Sequence, residues 1–84
     1  MKIVENRVVL QYGEVGEAVM SSVKVHQSEA GKFVAIDPTS GGYPYATEIG
    51  SAENFRTVEK ALQYSRHFPG LKVRHVTITY EVSE

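Results

Sequence analysis

Apolar residues recur along this chain in two periods, and the periods locate its elements. Val58, Ala61, Leu62 and Ser65 fall at i, i+3, i+4 and i+7, with Tyr64 beside them, which predicts one face of a helix over residues 57–67. Thr57 offers a hydroxyl to the first turn and Glu59 a negative charge where the helix dipole favours one. Arg66 and His67 stand in the last turn, and Pro69-Gly70 ends the segment. An alternative start lies at Ser51, which would cap a longer helix with Phe55 on its buried side. From Val76 onward the period is two: Val76, Ile78, Tyr80 and Val82 face one way, and Thr77, Thr79 and Glu81 the other. That alternation predicts a strand covered on one side. Leu71 and Val73 are apolar in the opposite phase, so a bulge or a late strand start is expected near Arg74-His75.

Upstream, Val4, Val8, Leu10 and Tyr12 share a parity and predict a strand over residues 2–12. Val23-Lys24-Val25-His26-Gln27 alternates, Ser28-Glu29-Ala30-Gly31 reads as a turn, and Lys32–Asp37 as a second strand, so the pair is expected to form a hairpin. Phe33-Val34-Ala35-Ile36 is apolar on both faces, which places it inside the sheet. Pro44 lacks a donor and confines the following segment to an edge or a loop. The order β-β-β-α-β gives an α+β fold, a small antiparallel sheet of three to four strands with one helix packed on one face. Leu62 and Ile78, on the two clearest periodic faces, are expected to meet across that interface.

The 84 residues make one domain, 1–84, with 42% apolar residues and no cysteine. A chain this short buries only about 60% of its unfolded surface, and without disulfides or thiolate metal sites it must fold by packing alone or by pairing with a second copy. Self-association through the N-terminal strand as a free edge, giving a homodimer, is one expectation. The longest apolar runs fall far short of the roughly 20 residues a membrane helix needs, and the first seven residues lack the apolar stretch of a secretory signal, so a cytoplasmic protein is expected.

The chemistry-bearing residues form no catalytic pattern. Asp37, Ser40 and His75 can be written as a hydrolytic trio, but no nucleophile elbow surrounds Ser40, and Asp37 before Pro38 reads as a turn residue. His26, His67 and His75 supply no tetrahedral set, so no metal and no cofactor is assigned. Gly13-Glu14-Val15-Gly16 has the spacing of a phosphate clamp, yet Glu14 and Glu17 would repel phosphate.

Two segments remain. Ser40-Gly41-Gly42-Tyr43-Pro44-Tyr45 joins two glycines, free to take positive φ, to two tyrosines that an extended backbone would set on one face. Exposed tyrosines supply rigid contact area with a hydrogen-bonding tip, so Gly41, Gly42, Tyr43 and Tyr45 are the candidate partner-binding residues. The second segment is a basic strip, Arg56, Lys60, Arg66, Lys72 and Arg74, with Tyr64 and Phe68 among its charges. It is the alternative site, for nucleic acid, although Glu53, Glu59 and Glu81 interrupt it and the net charge is −1. The charge asymmetry is small: four basic against six acidic side chains in residues 1–50, five against four in residues 51–84.

The segments Phe33–Asp37, Ser40–Tyr45, Ala52-Glu53-Asn54-Phe55 and Thr57–Leu62 together resemble a layout found in small uncharacterised bacteriophage and mobile-element proteins. In these a strand ending in Val-x-Asp leads to a Gly- and Tyr-bearing loop, then an Ala-x-x-Phe segment, a helix and a last strand. The likeness covers residues 23–82. It implies a non-catalytic accessory protein or inhibitor that binds a host protein, and it assigns no catalytic residue.

Overall fold

The computed structural model describes residues 1–83, with Ser40 described by its backbone alone. Six strands and one helix follow in the order β1 (Lys2–Gln11), β2 (Ala18–Met20), β3 (Val23–Lys24), β4 (Phe33–Ile36), β5 (Pro44–Thr47), α1 (Val58–Ser65) and β6 (Lys72–Glu81). Two single 3-10 turns, Pro38–Ser40 and Ile49–Ser51, interrupt the connections. Strands β5-β4-β1-β6 form one antiparallel sheet in that order, and β2 with β3 forms a separate small hairpin. This is a small α+β fold with its helix on one face of the sheet.

The core lies where α1 and the β2–β3 hairpin meet that face. Val8, Leu10 and Tyr12 from β1 and its end, Val34 from β4 and Leu71 before β6 pack with Val19, Val25 and Ala61. Strand β4 is interior, flanked by β1 and β5, as its two apolar faces require. Strand β5 is an edge, where Pro44 costs the ladder nothing. Helix α1 begins at the Thr57 cap, whose hydroxyl accepts from the Lys60 amide at 3.2 Å.

Four expectations are corrected. The hairpin between residues 23–27 and 32–37 does not form, because β3 folds back on β2 and the Val25 amide bonds the Glu17 carbonyl, which carries Val25 into the core. Residue 51 starts no helix: the chain after the Ile49–Ser51 turn is extended at Ala52. The helix buries Ala61 rather than Leu62, which is 48% exposed, and Ile78 lies on the other face of the sheet, so the two never meet. Strand β6 has no bulge. Its register against β1 runs unbroken from Lys72 opposite Gln11 to Glu81 opposite Lys2. The change of apolar phase instead records which face matters: Leu71 and Val73 face the helix, whereas Val76, Ile78 and Tyr80 face the opposite way.

The sheet is uneven along its length. Strand β1 meets β4 only at Gln11 opposite Phe33. Beyond that point the two strands give their backbone groups to the segment between them: the Glu53 amide bonds the Val34 carbonyl at 2.9 Å and the Phe55 amide bonds the Val8 carbonyl at 2.9 Å. The Asn54 Oδ1 accepts from the Val8 amide at 3.3 Å and the Arg56 amide at 2.9 Å. This segment fills the fork. Past Val8, β1 and β6 continue alone as a two-stranded ribbon, and the molecule measures 50 × 27 × 24 Å. The expected cover over the Val76–Val82 face is only partial: Val76 and Ile78 are half-buried, while Tyr80 and Val82 are exposed, as are Met1 and Ile3 opposite them. The N-terminal strand is also not the outermost one, because β6 lies beyond it.

Candidate functional site

The Gly/Tyr loop is held in place from below. Asp37 caps the 3-10 turn that opens it, its carboxylate accepting from the Thr39 amide at 2.9 Å and the Thr39 hydroxyl at 2.7 Å. Those bonds hold the Asp37 carboxyl below the usual carboxylate range. Gly41 and Gly42 then turn the chain with φ of 79° and 84°, conformations that side chains resist. The Tyr64 hydroxyl donates to the Gly42 carbonyl at 2.8 Å, tying the loop to α1. Burial raises the Tyr64 hydroxyl pKa and keeps it protonated as a donor.

Tyr43 stands on this base with 59% of its surface exposed. Its ring meets Phe68 edge-on at 6.1 Å, and Phe68, Tyr64 and Phe55 continue as a row of ring contacts 5.4 and 5.5 Å apart. Two clefts adjoin at Tyr43. One, of about 530 Å³, is walled by Met20, Gly41, Gly42, Tyr64, His67 and Phe68. The other, of about 130 Å³, runs between Met20, Val23, Pro44 and Phe68 down to Tyr12 and Val19. Both clefts share Met20, Tyr43 and Phe68 as walls. Aromatic faces, a flexible thioether and a few hydrogen-bonding groups at the rim suit an apolar or aromatic side chain from outside.

Three of the four candidate binding residues therefore come together: Gly41, Gly42 and Tyr43. Tyr45 does not join them. It lies in β5 opposite Ala35, half exposed, outside both clefts. Met20, Tyr64, His67 and Phe68 were not legible as site residues, since no local pattern shows that residues 20 and 64–68 converge on residues 41–43.

The basic strip is divided. Arg56, Lys60 and Arg66 lie on the helix side, with Arg56 in a turn at φ 70°. Lys72 and Arg74 alternate with Val73, which packs against the core, and so point to the other face of the sheet. There the Lys72 amine meets Glu17 at 3.5 Å and the Arg74 guanidinium donates to Gln11 at 3.1 Å. The histidines are spread over the turn after β3, the end of α1 and β6, and no group of three or more metal-ligating side chains occurs among the described residues. The Ser40 side chain lies outside the described positions. Among the described residues no helix is long and apolar enough to cross a membrane.

Comparison of the chain with family models, curated proteins and solved structures finds no match.

Proposed function

We propose that this chain is a small non-catalytic protein-binding domain, and that its partner's apolar or aromatic side chain enters the cleft between the Gly41-Gly42-Tyr43 loop and the end of α1. One observation carries the reading: Tyr43 is an exposed ring on a fixed base. Its loop is capped by Asp37, turned by two glycines and tied by Tyr64, so little freedom is lost when a partner binds. A ring held in this way beside an open aromatic cleft has the properties of an interface anchor. The role fits the accessory or inhibitory binding proteins that the sequence resembles, with a host protein as target.

The test is a separation of effects. Partner capture by the wild-type chain should be lost in Tyr43→Ala, with binding weakened by about 2 kcal/mol or more, while thermal unfolding moves little. Tyr45→Ala should leave capture nearly unchanged, because it stands apart from the cleft. If Tyr43→Ala binds normally, or loses binding only in proportion to unfolding, the cleft is not the interface. A capture that disappears with nuclease and weakens steeply with salt would point to nucleic acid instead.

A further inference from the structure

We propose that the free edge of β6 is a dimerisation edge, on which the β6 strand of a second copy pairs antiparallel about a two-fold axis through Ile78. The proposal does not depend on the Tyr43 cleft.

The first ground is that this edge is open. Met1 and Val82 exchange both of their backbone hydrogen bonds, Val82 N–H to Met1 C=O at 2.8 Å and the Met1 amino group to Val82 C=O at 3.2 Å. In an antiparallel ladder such pairs alternate with non-bonded ones. The even-numbered residues of β6 therefore bond to β1, and the amides and carbonyls of Val73, His75, Thr77, Thr79 and Glu81 point away from the molecule.

The second ground is that the central stretch of the edge lacks the devices that keep edges apart, the charges of β6 lying toward its two ends at Lys72, Arg74 and Glu81. The opposite edge, β5, is four residues long and starts at Pro44. Strand β6 runs ten residues with an unbroken register, no proline, no glycine and no bulge. Val76-Thr77-Ile78-Thr79-Tyr80 holds no charge and is built of strand-favouring residues. A long, regular, exposed edge of this kind is a template for another strand.

The third ground selects the occupant. An isologous pairing must match the strand to itself, keeping apolar residues opposite apolar ones and unlike charges together. Centred on Ile78, it sets Ile78 against Ile78, Val76 against Tyr80 and Thr77 against Thr79. His75 then faces Glu81 twice, and no two like charges oppose one another. Shifting the centre to Thr77 puts Glu81 against Val73, and shifting it to Thr79 puts Glu81 against Thr77. Both lose the pairing of the His75 imidazole, a hydrogen-bond donor, with the Glu81 carboxylate. A one-residue slide sets the outward-pointing odd residues against even residues whose backbone groups are already bonded to β1, so the ladder cannot form. The Ile78-centred pairing also flanks the partly exposed apolar face of the ribbon with its own copy.

The chain has no cysteine, so the register can be read directly. In Ile78→Cys the two introduced thiols face each other in a non-bonded pair, close enough for a disulfide. Mild oxidation should give a covalent dimer many-fold faster than in Val76→Cys or Tyr80→Cys, whose equivalent residues sit far apart along the strands. Sedimentation of the wild-type chain should show a dimer at high micromolar concentration. Thr77→Pro removes an outward amide that β1 does not use, so it should give a monomer with the circular dichroism of the parent. A wild-type monomer at that concentration overturns the proposal. So does a dimer that survives Thr77→Pro, or cross-linking that shows no preference for position 78.

Discussion

Ala61 and Leu62 stand side by side on α1, and only the smaller one is core. Ala61 is fully buried in the core cluster that holds Val8, Leu10 and Leu71, while Leu62 is half exposed. A methyl group there sets how closely the helix approaches the sheet. Ala61→Leu should therefore destabilise by about 1–3 kcal/mol through overpacking, whereas Leu62→Ser should change stability by about 0.5 kcal/mol or less. Urea unfolding of the two variants checks both numbers. Gly70 sets another close approach: a Cβ there would collide with the Ala18 carbonyl and come within 2.7 Å of the Val19 Cα. Tyr12 gives a pH signature. Burial, helped by the Glu29 carboxylate, pushes its hydroxyl up to about 12 in the folded chain. The folded state thus holds this proton more tightly than the unfolded state, whose tyrosines ionise near the ordinary value of about 10. The stability from this difference is complete below about pH 10 and is lost as pH rises through the folded value. Tyr12→Phe should remove that part of the alkaline decline in the urea midpoint.

At the scale of elements, the short helix and the forked sheet depend on a few polar atoms. Thr57→Ala removes the only side-chain cap of an eight-residue helix and should cost about 1 kcal/mol in thermal or urea unfolding. Arg56 holds a left-handed backbone, its amide donating to the Asn54 side-chain Oδ1. A side chain there is strained by roughly 1 kcal/mol, so Arg56→Gly should be more stable than Arg56→Ala. Most of these elements were legible in the sequence. The cap at Thr57, the stop at Pro69-Gly70, the interior place of Phe33–Ile36 and the strand character of the last segment all follow from local chemistry, although its unbroken start at Lys72 did not. What was not legible depended on covering. The phase of Val76, Ile78, Tyr80 and Val82 was read as a buried face, but periodicity records only that a face is apolar. The helix face was misread for the same reason: Leu62 and Ala61 both fit the period, and packing distance chose between them. The separation of Tyr45 from Tyr43 was not legible either: Tyr45 pairs with Ala35 inside β5, whereas Tyr43 precedes that strand and packs on Phe68.

At the scale of the whole molecule, stability is graded along β1. Its C-terminal half is buried among α1, β4 and the fork segment, and its N-terminal half touches only β6. Hydrogen exchange, measured below the concentration at which copies associate, should show the amides of Val9 and Gln11 opening only with global unfolding. The amides of Ile3 and Glu5 should exchange through fraying of the ribbon. The Arg7 guanidinium stiffens the base of that ribbon, donating to both Glu5 carboxylate oxygens at 2.8 and 3.1 Å and to the Tyr80 hydroxyl at 3.3 Å.

The pairing of β1 with β6 also sets the order of events when the chain is made. The longest ladder in the fold joins Lys2–Gln11 to Lys72–Glu81, synthesised some sixty residues or more later. Long-range pairing of this kind is slow, because the loop must close before any contact rewards it. Until β6 emerges, Val8, Val9 and Leu10 have an unmatched flank and an incomplete core around them. A nascent chain stalled before Lys72 should thus remain sensitive to protease throughout β1 and available to chaperones, and extension past Glu81 should confer resistance in a single step.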